Sequence, residues 1–577
     1  MTTGFTAPSV EELEAIWNRG TAIREDHKAL RRTPPLVRLW ANDPADEKGL
    51  ILRGSAQDSV AGQFPFKKKG ASTGTLRLRI DHYLARWMMS IPNDSAAKKN
   101  VVISVDHMGG AMRWSGLLKN WTIRKDRDGI RYLEATFIDD LQFLQYLHGA
   151  PNPLLPLWLF QFPRVFNVLG PSRWCVALLI WMNLARFQSN IYNVPDDPFQ
   201  LGSWIDGWNM NTWQVLIKGV SFLGDSSLWT ILSSRMDKVE SAIEDALDDA
   251  QLVLTYRRVF TVDGETVDGV VGVTNPRNGV LVLEVVDRSG YFGADGTATR
   301  GTALHGFVRT AVEFAEGFVE QADVFVSEDQ SLFPPEYYWE NWLGIKPSHP
   351  CFVVRDSEYT QTEAAELSWG PAGPVQIIVG GENEYADSAV ELAIQVTGNL
   401  LGYFMLGGFS SAGDIAATVI MPLLRGTILA WNSWKSTSRA QQLGWVHLME
   451  MYQQGANNAW TLSAAAALRA GFEATKATGS GRMDMRDGEP FLPGLHIRPG
   501  DRIGQTIQGM TGSVTTDPVF VNQVELMTLG WDYANDTPHG WEIAAGTNKS
   551  VLSAAERSAR LLSKLLSSVQ NQGVSIV

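Results

Sequence analysis

Between Leu76 and Leu144 the apolar and polar positions alternate in short runs separated by turns, before a helix opens. Val101 to Val105 is one such run, and Met108-Gly109-Gly110 turns the chain into a second, Met112 to Ile123. Lys125-Asp126-Arg127-Asp128-Gly129 is a polar turn whose glycine sits where a positive φ is needed. In the third run, Ile130 to Ile138, Ile130, Tyr132 and Thr136 alternate with Leu133, Ala135 and Phe137. The pattern predicts three antiparallel strands in a sheet with open edges. Such a sheet must close, pack on another layer, or pair across a subunit boundary.

Elsewhere the period changes. Ser9 and Glu12 form a capping box before Leu13, Ile16, Trp17 and Ile23, predicting an N-terminal helix that ends near Pro34-Pro35. Short strands are expected at Leu36–Trp40 and Leu50–Arg53. Trp174 to Met182 is a run of nine apolar residues bracketed by Arg173, Asn183 and Arg186. A bilayer span needs about 20 such residues, so this run reads as a buried or interface helix. Met236 to Leu254 predicts an amphipathic helix with Glu240, Glu244, Asp245, Asp248 and Asp249 on a solvated face. Two hairpins follow in expectation, one at Asp263-Gly264 and one at Asn275-Pro276-Arg277-Asn278-Gly279, between VVGV and VLVLEVV. His305 to Val326 reads as helix then strand, and Val375 to Val379 as a strand leading to Gly380-Gly381. Helices are expected at 386–406 and in the Ala-rich 461–477. Arg498-Pro499-Gly500-Asp501 reads as a turn inside a last β unit near 497–531. A C-terminal helix carries Leu561, Leu562, Leu565, Leu566 and Val569 on one face.

A chain of 577 residues is too long for one core. Its 45% hydrophobic content excludes a largely disordered protein, and its 19% charged content with 21 Trp favours surfaces buried against partners. A net charge of −13 argues against a protein built to grip nucleic-acid phosphates. Lys67-Lys68-Lys69-Gly70 reads as a solvated turn. Cys175 and Cys351 share no metal-ligand spacing and read as reduced thiols, and no signal peptide is visible at the N-terminus. The apolar stretch 399–431 is long enough for a membrane hairpin. Its central glycines and its charges Asp414 and Arg425 favour a buried helix–loop–helix.

The search for catalysis finds little. There is no HExxH, Walker A, GxGxxG, GxSxG or EF-hand loop, and Phe409-Ser410-Ser411-Ala412-Gly413 only approximates a nucleophile elbow. The nine histidines (27, 82, 107, 148, 305, 349, 447, 496 and 539) are scattered, none within helical spacing of another. Asp139-Asp140 stands where a strand gives way to a helix and reads as a cap. No catalytic, cofactor-binding or metal-binding residue is assigned, and the residues alone favour an assembly component over an enzyme.

Four features in this order carry a resemblance: Phe137-Ile138-Asp139-Asp140-Leu141, Ile377-Ile378-Val379-Gly380-Gly381, the stretch Ala459-Trp460-Thr461-Leu462-Ser463-Ala464 to Leu468-Arg469-Ala470-Gly471, and Arg498-Pro499-Gly500-Asp501-Arg502 to Gly530-Trp531. Over roughly residues 36–545 the chain resembles the minor tail proteins of siphoviruses that infect actinobacteria, a group similar to the baseplate hubs of tailed phages. The resemblance implies a multi-domain α+β fold with two tail-tube-like antiparallel β-barrel units, helical insertions and a central β-rich domain. The expected division is a helical arm at 1–35, a first barrel at 36–150 and a Trp-rich helical insertion at 151–250. A central hub domain at 251–380, an apolar helical region at 381–475 and a second barrel with its C-terminal helix at 476–577 complete it. It further implies a homotrimeric hub at the tail tip of the virion, made in the host cytoplasm. That hub would contact distal tail, tape-measure and other minor tail proteins, and would pass genomic DNA in transit; contact with the host envelope is left open. A tail-associated cell-wall hydrolase and a membrane-active tip protein acting through 399–431 are the alternatives.

Overall fold

The computed structural model describes residues 9–289, apart from 46, 128, 159–160 and several positions within 190–205. It also describes 301–316, 325–326, 350–356, 362–380, 431–454, parts of 467–477, 478–486, 491–510 and 519–547. The expected helices at 386–406 and 552–569, the stretch 399–430, Phe409–Gly413 and His349 lie outside these residues.

Helix α1 (Val10–Arg32) begins as the capping box requires: Ser9 Oγ accepts from the Glu12 amide at 3.2 Å, and Glu12 Oε2 accepts from the Ser9 amide at 2.8 Å. Seven strands follow: β1 (Leu36–Asn42), β2 (Leu50–Ser55), β3 (Ala61–Lys67), β4 (Thr73–Arg79), β5 (Val101–His107), β6 (Met112–Lys125) and β7 (Arg131–Asp139). The three expected strands are β5, β6 and β7, and Gly129 takes a φ of 82°. Both edges of this trio are occupied, β5 by β1 and β7 by β4, each antiparallel.

The last β unit does not stand apart from the first. Val519–Asp532 pairs antiparallel with β3, Trp531 opposite Gly62 and Asp532 opposite Ala61. One 14-stranded sheet results. Its path runs Thr362–Gly370, Thr478–Arg486, Thr537–Thr547, Val519–Asp532, β3, β4, β7, β6, β5, β1, β2. Among the described residues this path stays open at both ends. A Cβ on Gly62 would lie 2.3 Å from the Trp531 ring, so this glycine is what lets the two β units meet at bonding distance. One core spans the junction, with Phe64, Leu76, Trp114 and Phe137 from one side and Met527, Leu529, Trp541 and Ile543 from the other.

A second core gathers Leu141 to Val285. Helix Ser172–Gln188 lies in it with Cys175, Val176, Leu179 and Ile180 buried, as the nine-residue apolar run predicts. Strand Phe166–Pro171 pairs with Trp229–Ser234, and Val215–Ile217 runs parallel to Val280–Asp287. The segments on either side of residue 250 thus share a core. No helix among the described residues is long and apolar enough to cross a membrane.

Two expectations are corrected. Val280–Asp287 pairs with Leu252–Val259, not with residues 270–273, so one wide hairpin replaces the two expected at 263–264 and 275–279. The reason lies where the ladder closes: Asn278 bonds outward, its Nδ2 donating to Leu50 O at 2.5 Å and its carbonyl accepting from the Leu50 amide at 2.9 Å. The loop therefore clips the β1–β2 turn, leaving its own apolar valines without a ladder. The lysine turn at 67–70 is likewise not simply solvated. Lys68 is largely buried, donates to Gln523 Oε1 at 2.5 Å and lies 3.6 Å from Asp248, while Lys69 bonds Asp248 and lies 3.6 Å from Glu244. The acidic helix Val239–Asp249 and the basic turn neutralise each other.

Candidate functional site

The polar chemistry of this chain is concentrated where the large sheet meets the second core. Arg38 on β1 donates to Asp106 Oδ2 at 2.9 Å, and Arg113 on β6 donates to Asp106 Oδ1 at 2.5 Å. The Arg113 fork reaches further, to Glu265 at 2.7 Å and to the carbonyl of Arg258 at 2.7 Å. Burial opposes ionisation of Glu265, yet the Arg113 guanidinium, the Phe260 amide and Arg257 bring its carboxyl down to about 2. Between these charges lies Phe260, stacked on Trp40 at 4.1 Å, with the guanidinium carbons of Arg38 and Arg113 each 4.9 Å from its ring centre.

Asp139 and Asp140 sit beside this cluster and face different partners. Asp140 is fully buried and holds Arg258 in a bidentate pair at 2.6 and 2.8 Å, while also accepting from Ser115 Oγ. Asp139 accepts from the Ser72 amide at 2.7 Å and from the Leu141 amide at 3.0 Å; the helix cap expected here does not form, because the short helix Gln142–Gln145 starts from Leu141, which offers no side-chain acceptor. Burial outweighs those donors and pushes its carboxyl up to about 7. Two adjacent carboxyls, one of them raised, resemble an acid–base pair. Here neither faces a cleft: every donor is supplied by the fold, and both side chains are buried.

Burial, with Asp225 adding to it, pushes the Cys175 thiol up to about 12, which removes it as a nucleophile. Among the described residues, no group of three His, Cys, Asp or Glu side chains could hold a metal ion.

The histidines are where the linear reading falls short. Four of them meet in two pairs at the foot of α1: His107 with His539, and His27 with His496, each with ring centres 5.5 Å apart. They come from α1, β5, the turn after Phe491 and the strand Thr537–Thr547, so no sequence spacing could signal the meeting. The remaining described histidines stay separate; His82 pairs with Asp58 at 3.0 Å.

Outside these seams the surface is rich in exposed aromatic and aliphatic groups. Trp17 on α1 is 67% exposed, Trp158 78% and Trp445 95%, and Trp369, Trp431 and Trp434 are also exposed. The arrangement builds rigid internal joints and broad apolar outer surfaces, the physical profile of an assembly protein.

Sequence comparison agrees. The chain is 29% identical over 546 residues to the minor tail protein Gp28 of Mycobacterium phage D29, covering 87% of this chain and 89% of that one. The match to minor tail protein Gp28 of Mycobacterium phage L5 is 28% identical with the same coverage. A solved tail protein from Neisseria meningitidis MC58 aligns over 91% of this chain and 99% of its own, at 9% identity and a TM-score of 0.36. In class, the chain is a phage minor tail protein. It belongs to the Siphovirus ReqiPepy6 Gp37-like protein family, whose model matches residues 36–547.

Proposed function

We propose that this chain is the structural hub of the tail tip, three copies closing a ring that joins the tail tube to the tip and leaves a channel for DNA. The observation that carries the reading is the open 14-stranded sheet, whose two terminal strands are β2 and Thr362–Gly370. A chain whose sheet ends, among the described residues, in two different strands associates head to tail through them, and head-to-tail contacts close into rings when the rotation permits. In the ring, the first and second β units behave as the two tube-like barrel units expected at 36–150 and 476–577, each completed by a neighbour's edge. The 251–380 region forms the central part, tied inward by the Phe260 cluster. The outward-facing tryptophans meet distal tail, tape-measure and other minor tail proteins, and DNA passes without being gripped, in keeping with the net charge of −13. The acid pair that a cell-wall hydrolase would need is not supplied by Asp139 and Asp140, whose oxygens are committed to internal donors. The deciding experiment is mass measurement by light scattering, followed by imaging. A ring of three times 63.7 kDa supports the reading, and a compact monomer at high concentration overturns it.

A further inference from the structure

Helix α1 buries none of its residues, and among the described contacts it is held to the sheet almost entirely at its foot. There Leu30 packs on the large core, and two ring nitrogens donate to the last carbonyls: His107 Nε2 to Thr33 O at 3.1 Å and His539 Nε2 to Arg31 O at 2.9 Å. His107 is committed at both ends. Trp541 Nε1 donates to His107 Nδ1 at 3.0 Å, so Nδ1 must be bare while Nε2 carries the proton. The Leu492 amide donates to His496 Nδ1 at 3.0 Å, which imposes the same condition there. An imidazolium at either ring presents a donor to a donor.

We propose that His107 and His496, with His539 and His27 against them, form an acid-sensitive latch that holds α1 on the sheet at neutral pH and releases it on acidification. The described basic groups facing the latch are His539, His27 and Arg31. His539 faces His107 from the strand Thr537–Thr547, and His27 and Arg31 face His496 from α1. Among the described residues no carboxylate bonds to any of the four rings. His539 Nε2 sits on Arg31 O at the negative end of the helix, where a ring donor is favourable. Release therefore falls to the two rings that act as acceptors. Burial, with the neighbouring His539, lowers His107 to about 4, and burial with His27 and Arg31 lowers His496. Folding at the foot is thus supported above the ordinary histidine value of 6.5 and weakens as the pH falls toward 4. What is released is a helix carrying Val10, Leu13, Ile16 and Trp17 exposed along one stripe.

Hydrogen exchange of the full chain from pH 7.5 to 4, corrected for intrinsic rates, tests the latch. Peptides from residues 24–34 are expected to lose protection below about pH 6, roughly tenfold per pH unit for each linked proton, while peptides from β5–β7 keep theirs. The neutral double variant His107→Gln/His496→Gln is expected to flatten that loss, and the control His82→Gln to leave it unchanged. Equal protection of 24–34 at both ends of the range in the wild type overturns the proposal even if the double variant fails to fold. So does a transition that the folded double variant leaves in place.

Discussion

At the residue scale, the sharpest consequences come from buried charge. Asp140 and Arg258 form a bidentate pair with 0% and 7% side-chain exposure. Removing one partner strands the other in the core. Arg258→Ala is therefore expected to destabilise by about 3–5 kcal/mol, read as a lowered urea midpoint at unchanged slope. The double change Asp140→Asn/Arg258→Met is expected to recover part of that loss, because an unpaired charge is worse than none. His107 gives a pH dependence whose sign follows from its lowered value. The folded chain binds fewer protons there than the unfolded chain, so the stabilisation is full above pH 6.5 and is lost as the pH drops to about 4. The swing is on the order of 3 kcal/mol, and His107→Gln should abolish it in urea titrations run at each pH. None of these partnerships was legible in the sequence. Asp139-Asp140 reads as a cap from its place after a strand, yet the helix that follows is capped by neither: it starts from Leu141, and Asp139 bonds the Ser72 and Leu141 amides before it. That Asp140 reaches 118 residues along the chain to Arg258 is a fact of tertiary packing.

At the element scale, most strands and helices were readable because period and punctuation agree. The capping box, the β5–β7 alternation and the Arg498–Asp501 turn each rest on local chemistry, and each is present. The expectation failed where a local signal competed with a distant partner. Asn275–Gly279 carries hairpin residues, but Asn278 is held by Leu50 and Lys48, and the ladder forms around a wider loop. Helix Ser172–Gln188 shows the converse. Its N-cap is Pro171, which offers no side-chain acceptor, and Ser227 Oγ and Asp225 Oδ2 accept from Arg173 and Trp174 instead. The junction of the two β units also belongs to this scale. Gly62→Ala must push the Trp531 ring away from β3 and is expected to destabilise by roughly 1–3 kcal/mol in denaturant titration. If the clash is the cause, Trp531→Phe should relieve part of it, so the double variant should melt above the sum of the single losses.

At the scale of the whole molecule, the two sheet edges decide whether the chain works alone. Alternation along the chain identified both β units, and composition indicated large interfaces. Neither could indicate that β3 stitches the units together inside one chain. That stitch changes the inference: edges that a three-stranded sheet would present at 76–144 are already filled, and among the described residues the path ends at β2, where Asn278 bonds Leu50, and at Thr362–Gly370. Natural sheets guard such edges with lysine or proline when they must stay monomeric. In β2, Ile51 and Leu52 are exposed and apolar, which invites pairing. Leu52→Lys places a charge on that edge without touching either core, so the folded chain should keep its melting temperature within about 2 °C, as surface changes usually do. Its assembly should not survive. Sedimentation is expected to fall from three times 63.7 kDa to a single 63.7 kDa chain. A Leu52→Lys protein that still sediments as the larger species would show that β2 is not the contact between copies, and the proposed ring would then have to close through other surfaces.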